Sequence, residues 1–287
     1  MTLSRAALPM SLALLMSAPL GAAFAADYDP PIYVEQADEY VPVEIGSGWY
    51  LRGDVGYALS SRADGIFTYR TFDPIASTYS ISNFTSGEID TDFTVGFGVG
   101  YQYNEWLRGD LTLDAFRGSF RGSTAAPAPC LPTAPYVGTS CRSEDSADFS
   151  VVSLLANGYV DLGTYVGFTP YVGAGAGYSY VSWSGLANQS YCVDGIGACP
   201  APGGATTSTP HPGEKSWRFT YALMGGVAFD VTQNFKLDLG YKYTKIAAGG
   251  MFGWDAGTAA AGATGGQGRD PGMSQHEVRL GLRYALW

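Results

Sequence analysis

Phe235, Leu237, Leu239, Tyr241 and Tyr243 alternate with Lys236, Asp238, Gly240 and Lys242. A β-strand turns successive side chains to opposite faces, so this stretch sets a greasy face against a charged one. The same two-residue period recurs along the chain. It predicts eight strands over about 48–60, 90–103, 106–117, 148–162, 168–181, 216–230, 235–246 and 274–287. In a soluble sheet each greasy face would need a second layer, and after residue 26 no segment with a helical period is available to supply one. A sheet closed on itself, apolar side in lipid and polar side inward, satisfies every strand at once. The expected fold is all-β: an eight-stranded antiparallel transmembrane β-barrel.

The charges test that facing. A Lys or Arg turned toward lipid near the bilayer midplane costs about 2–4 kcal/mol, so strand charges should share the inward parity. On that parity fall Arg52, Asp54, Asp92, Arg108, Asp110, Asp114, Asp161, Arg218, Lys236, Asp238, Lys242, Glu277, Arg279 and Arg283. Their opposite faces carry residues such as Leu51, Phe93, Leu111, Phe219 and Leu280. Residues 170–178 hold no charge, which leaves the facing of the fifth strand open. Seven bases and seven acids inside a barrel this narrow read as a paired, hydrogen-bonded plug, because eight strands leave a bore that side chains fill. The competing reading is a charge-lined conduit. Trp49, Tyr103, Trp106, Phe229, Phe235 and Tyr243 stand near strand ends, where interfacial girdles of aromatic residues are expected.

Connection lengths supply the orientation. Residues 104–105, 163–167 and 231–234 form short turns, whereas 61–89, 118–147, 182–215 and 247–273 are long and rich in Gly, Ser, Pro, Thr and Ala. Short periplasmic turns and long extracellular loops are the outer-membrane arrangement. Residues 1–25 read as an export signal: Arg5, an apolar run from Ala6 to Leu20, then Ala23-Phe24-Ala25 as a cleavage site. Its removal takes away Arg5 and moves the formal charge from −10 to −11, which argues against nucleic acid as a partner. Residues 26–47 carry six acids, three prolines and no base, the composition of an extended periplasmic lead-in. The barrel domain is then 48–287. Cys130, Cys141, Cys192 and Cys199 form an even set in an exported chain, and two disulfides are expected. The favoured pairs are Cys130–Cys141 and Cys192–Cys199, each closing its own loop; a metal site lacks the usual spacing.

Catalytic signals are weak. His276 is flanked by Ser274 and Glu277, but neighbours on a strand point opposite ways, so Ser274 and His276 share one face and Glu277 takes the other. His211, between two prolines, reads as a solvated loop residue, and the glycines at 96, 98 and 100 open no helix. The expectation is a non-enzyme with no cofactor and no metal.

At this point several segments become familiar. Gly48-Trp49-Tyr50-Leu51-Arg52-Gly53-Asp54-Val55-Gly56-Tyr57 resembles the first strand of small alphaproteobacterial outer-membrane proteins, the RopB-type major surface antigens of the opacity-protein-like porin family. So do 157–163, 169–175 and 239–243, and 276–284 is similar to the closing strand. The order of these motifs is more specific than any one of them. The resemblance implies outer-membrane residence, envelope integrity and surface exposure, with outer-membrane lipid, lipopolysaccharide and the barrel assembly machinery as partners. A narrow porin for small solutes is the alternative, and a lipid A-modifying enzyme a more distant one. In some relatives with such a mature start, the first alanine is joined to peptidoglycan, so the resemblance points to Ala26; a plain tether is the other reading. One departure stands out: these barrels end on an outward aromatic residue, but here Leu286 holds that parity and Trp287 follows one place late.

Overall fold

The computed structural model describes residues 48–126, 141–192 and 205–286. Its strands are β1 Trp49–Ala63, β2 Thr68–Asp73, β3 Thr78–Asn83, β4 Ser86–Gln102, β5 Leu107–Ala126, β6 Cys141–Asp161, β7 Phe168–Trp183, β8 Leu186–Cys192, β9 Ala205–His211, β10 Lys215–Asp230, β11 Phe235–Ile246, β12 Gly249–Gly253, β13 Gly266–Asp270 and β14 Met273–Ala285. One short helix, α1 at Ala256–Ala260, interrupts the last long loop, capped by the Asp255 carboxylate on the Gly257 and Thr258 amides.

Eight strands form the barrel wall. β5, β4, β1, β14, β11, β10, β7 and β6 are hydrogen-bonded in that order, and β5 pairs with β6 to close the ring. Every pairing in it is antiparallel. The short turns are built by local chemistry. Asn104 accepts hydrogen bonds from the amides of Trp106 and Leu107 at 2.9 and 2.8 Å, an Asx turn that needs only a few residues. Between β6 and β7, Gly163, Val166 and Gly167 all take positive φ.

The described parts of the long loops hold more strand than their composition implies. β2 and β3 form a hairpin that joins β13 and β12 in a separate four-stranded sheet, so the first and last long loops fold together. β5 and β6 run well beyond the barrel proper, and β8 and β9 extend β6 sideways. Sequence periodicity misses β2, β3, β8, β9, β12 and β13 because each is only five to seven residues long, too short to establish an alternation.

Outward positions between the two ends carry Leu51, Val55, Phe97, Leu111, Leu154, Val172, Leu223, Leu239, Leu280 and Leu282, all exposed. On β5 this run extends from Leu107 to Leu113 and ends at Arg117. With its flanking rings the band is roughly 25 Å tall for tilted strands, the height of a hydrocarbon core. Trp49, Tyr103, Trp106, Phe168 and Phe229 ring the short-turn end, and Tyr57, Phe93, Tyr178 and Trp217 the long-loop end. The fifth barrel strand, β7, turns Tyr171 inward and Val172, Ala174, Ala176 and Tyr178 outward.

Inward glycines make room for the lumen side chains. A Cβ at Gly175 would stand 1.9 Å from Asn157 Oδ1, and one at Gly96 would stand 2.3 Å from Asp114 Oδ1. Gly175→Val therefore forces the Asn157 side chain aside, at a cost of about 1–3 kcal/mol. The variant is expected to lose its compact gel mobility at a lower temperature than the native barrel. The outward control Ala174→Val is expected to match the native protein.

Candidate functional site: the filled lumen

The interior contains two layers of opposite character. Toward the short-turn end lies an ionic network. Arg52 contacts Asp54 and Asp110, each at 2.7 Å. Arg108 reaches Asp161 at 3.0 Å, and Arg283 reaches Asp238 at 3.1 Å. Asp114 receives Lys242 at 2.6 Å and Arg279 at 2.9 Å, while Arg279 also meets Glu277. Neutral donors complete the coordination: Asn157 donates to Asp110 at 2.7 Å, and the Tyr50 hydroxyl donates to the same carboxylate at 3.1 Å. The Arg108 guanidinium lies 4.0 Å from the centre of the Tyr159 ring and 4.7 Å from that of Tyr171. Buried charges persist only when paired and hydrogen-bonded in this way. A void of about 20 Å³ bounded by Arg52, Asp238, Lys242 and Arg279 has room for about one water.

Of the fourteen charges read as inward, eleven are buried with carboxylate or cationic partners, and Arg52, paired with Asp54 and Asp110, is nearly so. Arg218 stands apart from the network, at the long-loop end. It binds Asp270 of β13 at 2.7 Å and the Gly250 carbonyl of β12 at 2.7 Å, and so latches the last loop to β10. Burial pushes the Asp270 carboxyl above the usual carboxylate range, although Arg218 pulls it the other way. Lys236 is only half-buried and pairs with Asp230 at 2.7 Å at the short-turn rim. Asp92 needs correction. It is exposed on the outer surface, because a bulge between Thr91 and Thr94 places two consecutive residues outward and resets the parity.

Above the network sits an apolar layer that the sequence reading missed. Phe116, Phe120, Phe149, Val151, Val181, Trp183, Ile246 and Met273 point inward from the wall, and Phe67, Phe84, Met251 and Phe252 descend from the folded loops. Phe67 and Phe120 have ring centres 4.7 Å apart, as do Phe149 and Trp183. The signal was present in the alternation: Phe116 and Phe120 continue the parity of Asp110 and Asp114.

The histidine cluster does not assemble. The His276 ring packs against Tyr241 and Tyr243 on the outer face, Ser274 donates to Asp64 at 2.9 Å, and Glu277 faces inward onto Arg279. Ala26, Cys130, Cys199 and Trp287 lie outside the described residues. Cys141 and Cys192 end β6 and β8 and stand opposite one another in the backbone register.

The family model for the outer membrane protein β-barrel domain matches residues 10–285. The chain belongs to this family. It is an integral barrel of the outer membrane. An uncharacterized protein of Brucella suis is 36% identical over 277 residues, covering 92% of this chain and 93% of its own length. A putative adhesin of Rickettsia felis is 26% identical over 201 residues, 70% of this chain and 73% of that protein. The crystal structure of Neisserial surface protein A matches with a TM-score of 0.41 and 17% identity, over 84% of this chain and 98% of that one.

Removing one partner from a buried pair leaves an uncompensated charge and costs about 3–5 kcal/mol. Asp114→Ala strips both Lys242 and Arg279 of their shared carboxylate and is expected to lower the urea midpoint of the refolded barrel markedly. Replacing Asp114, Lys242, Glu277 and Arg279 together with Leu, Met, Met and Met, which leaves no member of the group unpaired, is expected to cost less than Asp114→Ala alone.

Proposed function

We propose that the protein is a closed structural barrel that supports outer-membrane integrity and presents a folded loop surface to the exterior, without conducting solutes and without catalysis. The filled lumen carries this reading. An ion-paired layer and an aromatic layer lie in series along the bore, and a solute would have to displace both. Reconstituted protein in planar bilayers is expected to give no steady conductance steps; stable openings would favour the narrow-porin reading. In cells, a deletion strain is expected to gain detergent sensitivity and shed more vesicles.

Surface contact is a second reading with its own support. Ile75 at the β2–β3 turn is 95% exposed and Ile81 on β3 is 75% exposed. Beside them Phe72, Tyr79 and Trp254 form an aromatic group, with Arg70 4.0 Å from the centre of the Tyr79 ring. Isolated greasy residues are ordinary on surfaces, but a cluster on the outermost hairpin suits a binding role, and the Rickettsia relative is called a putative adhesin.

Two further assignments belong to the same reading. For the cysteines we propose two disulfides. Opposed Cα atoms of paired strands lie about 4.5–5.5 Å apart, inside the span a disulfide bridges. The register thus supports a Cys141–Cys192 bond between the second and third long loops, in place of pairing within each loop, and non-reducing peptide mapping is expected to recover it. For Ala26 we propose attachment to peptidoglycan; muramidase-released protein should yield an amino-terminal peptide carrying a cell-wall fragment, and an unmodified terminus throughout would end the idea.

A further inference from the structure

Where the apolar band ends, the outside of the wall holds a recess of about 940 Å³ between β4 and β10. Its rows can be followed through the strand register. Lys215 of β10 pairs with Ser182 of β7, Ser182 with Ser150 of β6, and Ser150 with Arg117 of β5. Two bases therefore stand at the ends of a row with two hydroxyls between them. Three strand spacings separate those ends, roughly 14 Å at about 4.8 Å per strand. The next row carries Asp148, Ser119 and Asp90, and Arg121 stands 3.8 Å from Asp90. All three acids of the recess, Asp90, Asp92 and Asp148, face outward, as do Arg117, Arg121 and Lys215.

The recess is continuous with the hydrocarbon belt. Trp217 lies two residues below Lys215, Tyr180 two below Ser182, and Val152 and Leu154 follow Ser150 down the wall. An occupant with phosphates at its head and alkyl chains below meets both chemistries at once. Three bases and three acids leave the recess without a net field to collect soluble anions, so membrane anchoring has to supply the local concentration.

We propose that this recess seats the headgroup of an outer-leaflet glycolipid of the lipid A class, a disaccharide phosphorylated at both ends. Arg117 and Lys215 each take one phosphate through charge-assisted hydrogen bonds. Ser150 and Ser182 meet the sugars between, the carboxylates accept from sugar hydroxyls, and the acyl chains run down along Val152, Leu154, Trp217 and Phe219. This rests on the outer-membrane orientation of the long loops and is independent of whether the lumen conducts.

Native mass spectrometry of the delipidated full-length barrel reads the prediction directly. Diphosphorylated lipid A is expected to bind with a stoichiometry of one. Removing one phosphate is expected to weaken it by about tenfold or more, the loss of one charge-assisted contact. Arg117→Gln with Lys215→Gln is expected to weaken the diphosphorylated lipid at least as much, with unchanged heat-dependent gel mobility to show that the barrel is folded. The outward Lys245→Gln, on β11 away from the recess, is expected to leave binding unaltered. Equal affinity for both phosphorylation states, equal binding by phosphatidylglycerol, or no difference between the double variant and the native protein would each overturn the assignment. The phosphate comparison uses unmutated protein, so it stands even if a variant misfolds. A porin-like conductance would count against the closed-barrel reading and leave this result untouched.

Discussion

Hydrocarbon offers no hydrogen bonds, so every peptide group that crosses it must find its partner inside the sheet. The pairing of β1 with β14, the first and last wall strands, meets that demand, for it turns a ribbon with two raw edges into a ring with none. The rest of the structure follows from it. Closure at eight strands sets a narrow bore, the bore dictates inward glycines where long side chains lie across it, and the charges on the inner face are then too crowded to remain hydrated. They persist as a network because each has an opposite charge or a neutral donor within reach.

Much of this was legible in the sequence. Alternation located all eight wall strands to within a few residues at most ends, because a lipid-facing position tolerates so few polar residues that the pattern is nearly forced. The facing of β7 was not legible, since glycine and alanine on both faces carry no polarity signal; only packing against Asn157 and Tyr159 fixes it. Asp92 was misplaced for a related reason. A bulge changes the count by one, and nothing in the local composition announces it. The loop sheet was invisible because its strands are held by one another rather than by a pattern of their own. Of the lumen, the ionic layer could be read from charge parity, whereas the aromatic layer was hidden by the assumption that inward means polar.

That assumption fails at a definite height, and the failure is informative. Within the band the wall is apolar outside and charged inside. Beyond Arg117 on β5, Ser150 on β6 and Lys215 on β10 it is polar outside, while Phe120, Phe149 and Trp183 point in. The same strands thus obey lipid as solvent along one stretch and water as solvent along the next without changing direction, and β4 and β1 step their register near the boundary. The switch marks the bilayer surface in the sequence itself. It also explains why the long-loop end is folded: above the switch the barrel behaves as an ordinary soluble β-structure, with loops supplying its second layer.

The ionic layer has a consequence for biogenesis. Lys242 and Asp114 are 128 positions apart in the chain, and Arg279 joins them from the last strand. None of these contacts is available to a nascent hairpin. Until β5, β11 and β14 are all in place, each such side chain keeps its shell of water and resists entry into the hydrocarbon. Partly threaded forms are thereby held back from the bilayer, and commitment to it coincides with completion of the ring.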